Sequence, residues 1–185
     1  LVAQIGGSGK IGIVSGEATA TNLNTWITYM QERVAERYPD VELLEPRYAG
    51  GTAQRAFQIA SDLMTANPDL AGLIAVASST CPGVGQAIES AGKVGEVIGT
   101  GYCSPNTARS YVKSGAFPFT VLWDPGELGY LTVWAGLQLI EGNAFSEMND
   151  VPGLDRPIEY FADDKILLLG PPAIFTAENV DDYDF

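Results

Sequence analysis

Short apolar runs alternate with longer amphipathic stretches along most of the chain. The run at 73–77 lies between turn residues, which is typical of a strand buried on both faces. Thr80 follows it as a candidate helix cap, and Pro82 suits the first turn of a helix, where no N–H is needed. Such a junction leaves free backbone N–H groups at the carboxyl end of a strand, where open α/β sheets bind small ligands.

The same pattern predicts five strands, each followed by a helix. The strands cover 10–15, 41–45, 73–77, 97–102 and 117–123, and the last two helices cover 104–114 and 126–141. Strict alternation with short connections predicts an α/β fold, a doubly wound parallel sheet in three α/β/α layers. A last apolar run at 166–169 follows the irregular connection 143–157, and we expect this tail to return to the same sheet or pack across it.

The first residues are typical of the tail of a helix that Gly6 and Gly7 stop. No initiator methionine or signal peptide precedes them, so we expect the chain to be a fragment that begins inside an element. The stretch 6–10 (Gly-Gly-Ser-Gly-Lys) lacks the spacing of a phosphate-binding loop and precedes its strand instead of following it. A helix stop is therefore the better interpretation.

Composition excludes several kinds of chemistry. The chain has 185 residues, enough for a sizeable core, and a net charge of −13, which argues against nucleic acid or an anionic membrane as its main partner. It has no histidine and two cysteines, so His-based catalysis and four-cysteine zinc sites are excluded. No apolar run reaches the roughly 18 residues of a membrane helix, and we expect no direct membrane insertion, no metal and no cofactor.

Polar residues gather where predicted strands end. Asn22 follows the first strand, where it or Thr21 caps the helix, or where its amide points into a ligand crevice, or both. Cys81 and Cys103 follow two strands that neighbour each other in a doubly wound sheet. They form either a disulfide, for which the Cα atoms must lie within about 7 Å, or two small buried thiols.

The end of the fifth strand carries Trp123 and Asp124. In one interpretation Trp123 is a core residue and Asp124 a helix cap; in the other, Trp123 offers an apolar face to a sugar ring and Asp124 accepts from hydroxyls. The acidic pairs at 163–164 and 181–182 are typical of a solvated surface, because they lack calcium-loop spacing.

Several separate segments resemble one family. They are 19–26, 79–83, 101–106, 122–130 and 179–185. In that order they are similar to the type I periplasmic sugar-binding proteins of ABC importers, in the branch that binds autoinducer-2 and rhamnose. The resemblance implies two lobes that close around a sugar-like ligand, and it covers about the C-terminal half of such a protein.

The resemblance also implies how the chain is divided. Residues 1–118 would form the second lobe, 119–150 a strand and helix of the first lobe, and 151–185 the return to the second lobe. The apolar helix at 126–141 would then have lost its natural sheet. We expect it to pack differently on the chain, or on a partner chain as in a dimer.

Ligand-binding positions follow from the resemblance residue by residue. Autoinducer-2 receptors use an Asp-Gln pair where this chain has Asn22 and Leu23, which argues against autoinducer-2 and favours the rhamnose branch. They also use backbone groups at the positions of Pro82 and Val84, and ribose-type relatives place an Asp where Cys103 stands. The predicted ligand-binding residues are Asn22, Leu23, Pro82, Val84, Cys103, Trp123 and Asp124.

We therefore expect a solute-binding component of an ABC transporter, periplasmic or extracytoplasmic, either free or held by a lipid anchor. It would bind a small sugar between its lobes and deliver it to a membrane permease. The sequence offers no activated nucleophile, acid–base pair or metal cluster, so we expect no enzyme activity. The alternative is the effector domain of a LacI-type transcription regulator, which shares this fold; a sugar-processing enzyme ranks third.

Overall fold

The computed structural model describes all 185 residues. Its contacts divide the chain into a first unit, Leu1–Leu122 with Ile174–Phe185, and a second unit, Trp123–Ala173. These boundaries differ from those implied by the resemblance. The strand at 120–122 stays with the first unit, and only the last twelve residues, not 151–185, return to it. The assignment of these units to lobes remains a prediction.

Ten strands and five α-helices are formed. The strands are β1 (Gly9–Ser15), β2 (Val41–Leu43), β3 (Arg47–Tyr48), β4 (Leu70–Ala75), β5 (Ile98–Gly101), β6 (Thr120–Leu122), β7 (Met148–Asn149), β8 (Ile158–Phe161), β9 (Ile166–Leu168) and β10 (Ala173–Phe175). The helices are α1 (Thr21–Arg37), α2 (Ala53–Ala66), α3 (Cys81–Ser90), α4 (Pro105–Ser114) and α5 (Pro125–Ile140).

The main sheet is parallel, in the order β2-β1-β4-β5, with β3 also paired to β1. β2 and β3 follow one another along β1, where Gly9 pairs with Val41 and Ser15 pairs with Tyr48. Pro46 lies between them and cannot donate to a ladder, which is tolerated on an edge strand. The predicted strand 41–45 is thus interrupted after Leu43. β6 touches the end of β5 through a Tyr102–Val121 bridge and pairs with β10.

Helices cover both faces of this sheet. Ile13 of β1 packs with Ile27 of α1, whereas the neighbouring Gly12 lies against Leu63 of α2. Because consecutive strand residues face opposite sides, α1 and α2 lie on opposite faces. α3 packs on α2 so closely that a Cβ added at Gly83 would lie 2.1 Å from the Ala53 carbonyl oxygen. The predicted doubly wound α/β fold is confirmed.

The second unit is built differently. β7, β8 and β9 form an antiparallel sheet in that order, and Leu131 of α5 packs with Val151 and Ile158 in a small core. The predicted return of the tail to the first unit is made only by its later part. The run 166–169 forms β9, which pairs with β8, whereas β10 pairs with β6. α5 packs within the chain, yet Leu131 is its only buried residue.

The amino terminus has the hydrogen bonds of the predicted helix stop, although residues 2–7 are turns and not an α-helix. The Gly7 N–H donates to the Val2 carbonyl at 2.9 Å and the Gly6 N–H to the Ala3 carbonyl at 3.3 Å. Both glycines have positive φ, 75° and 87°. This pair of bonds is the Schellman motif, which a residue with a side chain adopts less readily.

The carboxyl terminus docks on α4. Asp181 binds two cations, with Arg109 Nε at 3.2 Å and Lys113 Nζ at 2.6 Å. The backbone N–H of Asn106 donates to the Phe185 carbonyl at 3.0 Å. The predicted solvated acidic surface is confirmed, because the acids at 163, 164, 181 and 182 are all exposed. Asp181 in addition pairs with the two cations of α4.

Candidate functional site

The carboxyl ends of β1, β4 and β5 meet at one edge of the first unit because the three strands are parallel and adjacent. We call the residues around this edge the rim; those used below are Asn22, Asn24, Trp26, Ser78, Pro82, Tyr102 and Cys103. The segments that follow β4 and β5 are joined covalently, since Cys81 and Cys103 form a disulfide with a Cα–Cα distance of 6.0 Å. Of the two alternatives left open by the sequence, the structure contains the bridge.

Ser78 reinforces the same link without a covalent bond. Its hydroxyl donates to the Tyr102 carbonyl at 3.1 Å and accepts from the Ser104 N–H at 3.1 Å. Thr80 was predicted to cap α3, but its side chain makes no capping hydrogen bond. Its buried hydroxyl donates to the Ala77 carbonyl at 2.8 Å instead. Both hydroxyls thus stabilise the loop that precedes α3, and the Ser78 hydroxyl also holds the segment that follows β5.

The first turn of α1 carries Asn22 and Leu23. Ala20 is the N-cap and no side chain caps the helix, so the capping alternative for Thr21 and Asn22 is wrong. Asn22 is exposed, whereas Leu23 is half-buried and packs on the core cluster around Ile13. The structure therefore leaves the Asn22 amide accessible and gives the Leu23 side chain a packing role.

Pro82 and Val84 stand at the start of α3. Pro82 is half-buried within the first turn of the helix. Val84 is fully buried, and its N–H already donates to the Thr80 carbonyl at 3.1 Å. The amide predicted as a free donor to ligand is thus occupied by the helix. Cys103 is also fully buried within the disulfide, so its thiol is not available.

Two aromatic residues of the rim were not among the predicted ligand-binding residues. The rings of Trp26 and Tyr102 lie 4.8 Å apart at 44°. Trp26 stands one helical turn after Asn22, on the same side of α1. Burial raises the pKa of the Tyr102 phenol, which therefore stays protonated at neutral pH. An aromatic residue at the very end of β5 was the available signal for Tyr102.

Asn24, in α1, was not among the predicted ligand-binding residues. Its side-chain N–H donates to the Ala18 carbonyl at 2.8 Å, and its side-chain oxygen accepts from the Tyr48 hydroxyl at 3.4 Å. Asn24 therefore fixes the loop after β1 and places a second aromatic hydroxyl, on β3, next to α1.

Trp123 and Asp124 belong to the second unit. Asp124 is the N-cap of α5, where its Oδ1 accepts from the N–H groups of Gly126 at 2.7 Å and Glu127 at 3.2 Å. The capping interpretation of Asp124 is confirmed. Trp123 is half-buried. The structure thus groups Asn22, Leu23, Pro82, Val84 and Cys103 in the first unit, separately from these two residues.

A sequence profile described as periplasmic binding protein domain matches residues 1–144. The chain belongs to the periplasmic binding protein domain family. A sugar ABC transporter from Actinomyces odontolyticus is 33% identical with a TM-score of 0.87, over 100% of this chain and 60% of its own. An ABC transporter solute binding protein from Clostridium phytofermentas with bound L-rhamnose is 25% identical with a TM-score of 0.84, over 98% of this chain and 61% of its own.

A curated relative of this periplasmic binding protein domain is the D-allose-binding periplasmic protein of Escherichia coli (strain K12). It is 26% identical over 160 residues, which are 86% of this chain and 47% of that protein. The chain therefore spans about half of this curated relative and about 60% of the solved ones.

The periplasmic binding protein domain has no group of three or more Cys, Asp or Glu side chains placed to hold a metal ion. No helix is both long enough and apolar enough to cross a bilayer. Two cavities lie away from the rim, one beside α2 and the loop after β2, the other between α2 and α3. The rim itself is an open surface of amide, hydroxyl and aromatic groups, which suits an uncharged polar ligand.

Proposed function

We propose that this chain is part of the solute-binding component of an ABC importer and binds a small neutral sugar at the rim. The observation that carries the proposal is the set of groups at the carboxyl edge of the main sheet. Asn22 offers an exposed amide, and Trp26 and Tyr102 form an aromatic pair beside it. The matched transport proteins, one of them with L-rhamnose bound, support a sugar as ligand.

The chemistry of the rim fits a polyol. An amide both donates and accepts, so Asn22 can serve a sugar hydroxyl in either role. An aromatic ring offers an apolar surface to the C–H face of a sugar, while a protonated phenol at Tyr102 donates a hydrogen bond. None of the named rim residues, Asn22, Asn24, Trp26, Ser78, Pro82, Tyr102 or Cys103, carries a charge at neutral pH. These groups therefore suit a neutral ligand.

Within this class we favour a rhamnose-like sugar over autoinducer-2. Leu23 packs in the core cluster and cannot hydrogen-bond, and Asn22 lacks the charge of a carboxylate. The loaded protein would close around the sugar and be recognised by a membrane permease on the extracytoplasmic side. The alternative of a regulator's effector domain shares the fold, but the matched relatives are described as transport and periplasmic proteins.

The proposal is tested by replacing Asn22 and titrating with L-rhamnose and D-allose. Asn22→Ala leaves a ligand hydroxyl without its partner and should weaken binding by about 1–3 kcal/mol. Because the chain spans about 60% of the solved relatives, the rim supplies only part of the contacts of such a protein. Chemical-shift titration by NMR, which measures weak binding, is the suitable method.

Gln31→Ala is the matched control, since Gln31 is an exposed amide on the same helix, away from the rim. The expected shifts on adding sugar centre on Asn22, Ser78 and Tyr102. Equal affinities for both variants, or shifts confined to residues outside the rim, would remove the rim as the sugar site.

A further inference from the structure

A cavity of about 510 Å³ lies in the first unit, between α2 and the loop after β2. Its volume falls within the roughly 300–1,000 Å³ of small-molecule sites. It shares no lining residue with the rim. The lining residues used here are Leu44, Glu45, Arg47, Arg55, Ile59, Asp62 and Leu63.

The cavity holds two arginines that lack an ion-pair partner. Of the ten basic residues in the chain, seven lie within 4.0 Å of a carboxylate, namely Lys10, Arg33, Arg37, Lys93, Arg109, Lys113 and Arg156. The three others are Arg47, Arg55 and Lys165. Two of these three unpaired cations line the same cavity.

This placement is unexpected in a chain with 23 acidic residues and a net charge of −13. Most of its basic side chains form an ion pair with a carboxylate, whereas Arg47 on β3 and Arg55 in the first turn of α2 do not. The first turn of α2 contains no acidic residue that would neutralise Arg55. A guanidinium presents a planar fork of donors that matches a carboxylate, and two such forks at one cavity favour an anionic group there.

An apolar wall continues from the arginines along α2. Ile59 follows Arg55 by four residues and therefore lies on the same side of the helix, and Leu63 follows Ile59 by another four. Ile59 and Leu63 are each 7% exposed, and Leu44 completes the wall from the loop after β2. The cavity thus joins two guanidinium groups to a hydrophobic side.

Two carboxylates limit which anion fits. Glu45 and Asp62 also line the cavity, and Asp62 Oδ1 accepts from the Gln58 side chain at 2.9 Å. Together they balance the charge of the two arginines. A ligand with a single negative charge is therefore accommodated better than a dianion such as hydrogen phosphate.

We propose that this cavity binds a small organic monocarboxylate with an apolar body. Its carboxylate lies between Arg47 and Arg55, and its hydrocarbon part lies along Ile59 and Leu63. This site is distinct from the rim and takes a ligand of opposite character, so the proposal stands whether or not the rim binds a sugar.

The test compares 4-methylpentanoate with its neutral amide, 4-methylpentanamide, by calorimetry on the full chain. The amide should bind at least about tenfold more weakly, because it cannot form the charge-assisted hydrogen bonds that a carboxylate accepts from guanidinium groups. Arg47→Gln and Arg55→Gln should each weaken carboxylate binding by a similar factor. Lys165 is the third unpaired cation and lies outside the cavity, so Lys165→Gln should leave carboxylate binding unchanged.

Protection of arginines from phenylglyoxal in the unmodified chain gives a readout that does not depend on a variant folding. Carboxylate should slow modification of Arg47 and Arg55 but not of Arg33, which is exposed on α1. The proposal is overturned if 4-methylpentanoate gives neither heat nor protection. It is equally overturned if the amide or inorganic phosphate binds as tightly, or if Lys165→Gln weakens binding as much as the cavity variants.

Discussion

The helices α3 and α5 share a proline in the first turn and an apolar sequence, yet their burial is opposite. α3 buries six of its ten residues, whereas α5 buries only Leu131 of its sixteen. The difference lies in their surroundings. α3 lies between α2 and α4 on a parallel sheet, whereas α5 has only three short antiparallel strands in its unit. Val133, Leu139 and Ile140 therefore stay 65%, 65% and 84% exposed.

The comparison shows that an apolar sequence makes burial of a helix favourable. Whether the helix is buried depends on the elements that pack against it. The first unit derives its cover from close approaches at glycines, such as Gly83 against α2 and Gly85 against Tyr111. Gly129 and Gly136 of α5 have no neighbour within 4 Å of an added Cβ. Substitutions that act through packing should therefore affect the two units very differently.

The largest expected effect comes from removing the disulfide. Cys81→Ala combined with Cys103→Ala reopens a loop of sequence separation 22, and the free energy of unfolding of the first unit should fall by about 3 kcal/mol. Hydrogen exchange measured amide by amide separates the two units. Protection should fall in β4 and β5 and remain in β8. An equal loss in both units would contradict an effect confined to the first unit.

A matched pair of glycine substitutions tests the comparison directly. An added Cβ at Gly83 would lie 2.1 Å from the Ala53 oxygen and 2.6 Å from the Phe57 nitrogen, both backbone atoms that cannot move alone. Gly83→Ala should therefore destabilise the first unit by about 2–3 kcal/mol. Gly136→Ala, in an open position of α5, should stabilise its helix by roughly 0.5–1 kcal/mol. Denaturant unfolding measures the change in the free energy of unfolding for both variants. Changes of the same sign would contradict the difference in packing between α3 and α5.

The smallest effect concerns the cap of α5. Asp124→Ala removes the acceptor for the N–H groups of Gly126 and Glu127 and should cost about 1 kcal/mol. Faster amide exchange in the first turn of α5 is the expected readout. Asp150→Ala is the control, since it removes an exposed acid of the same unit without removing a cap. If Asp124→Ala speeds amide exchange no more than Asp150→Ala does, the cap does not stabilise α5.

The sequence predicts most of the first unit because its signals are local. The apolar run at 10–15 lies within β1, and the helix predicted at 104–114 is α4 to within a residue. In the second unit the helix predicted at 126–141 is α5 to within a residue. Its antiparallel sheet was not predicted, because β7 has two residues and β8 has four, within or next to a polar connection. Strands this short exist through pairing with distant partners, which periodicity does not reveal.

The site shows the same limit. The positions of Asn22 and Pro82 at strand ends were predicted from the order of elements. The contact between Trp26 and Tyr102 was not, because it depends on how α1 settles against β5. The sequence did not decide between a disulfide and two thiols for a related reason, since a Cα–Cα distance of 6.0 Å is a property of the folded loops.

The complete burial of both cysteines has one more consequence. A reducing agent in solution meets no sulfur surface while the chain is folded, so cleavage must wait for the ends of β4 and β5 to part. The rate at which added thiols reduce this disulfide then measures how often the edge beside Asn22 opens. Any solute that binds at that edge should lower this rate.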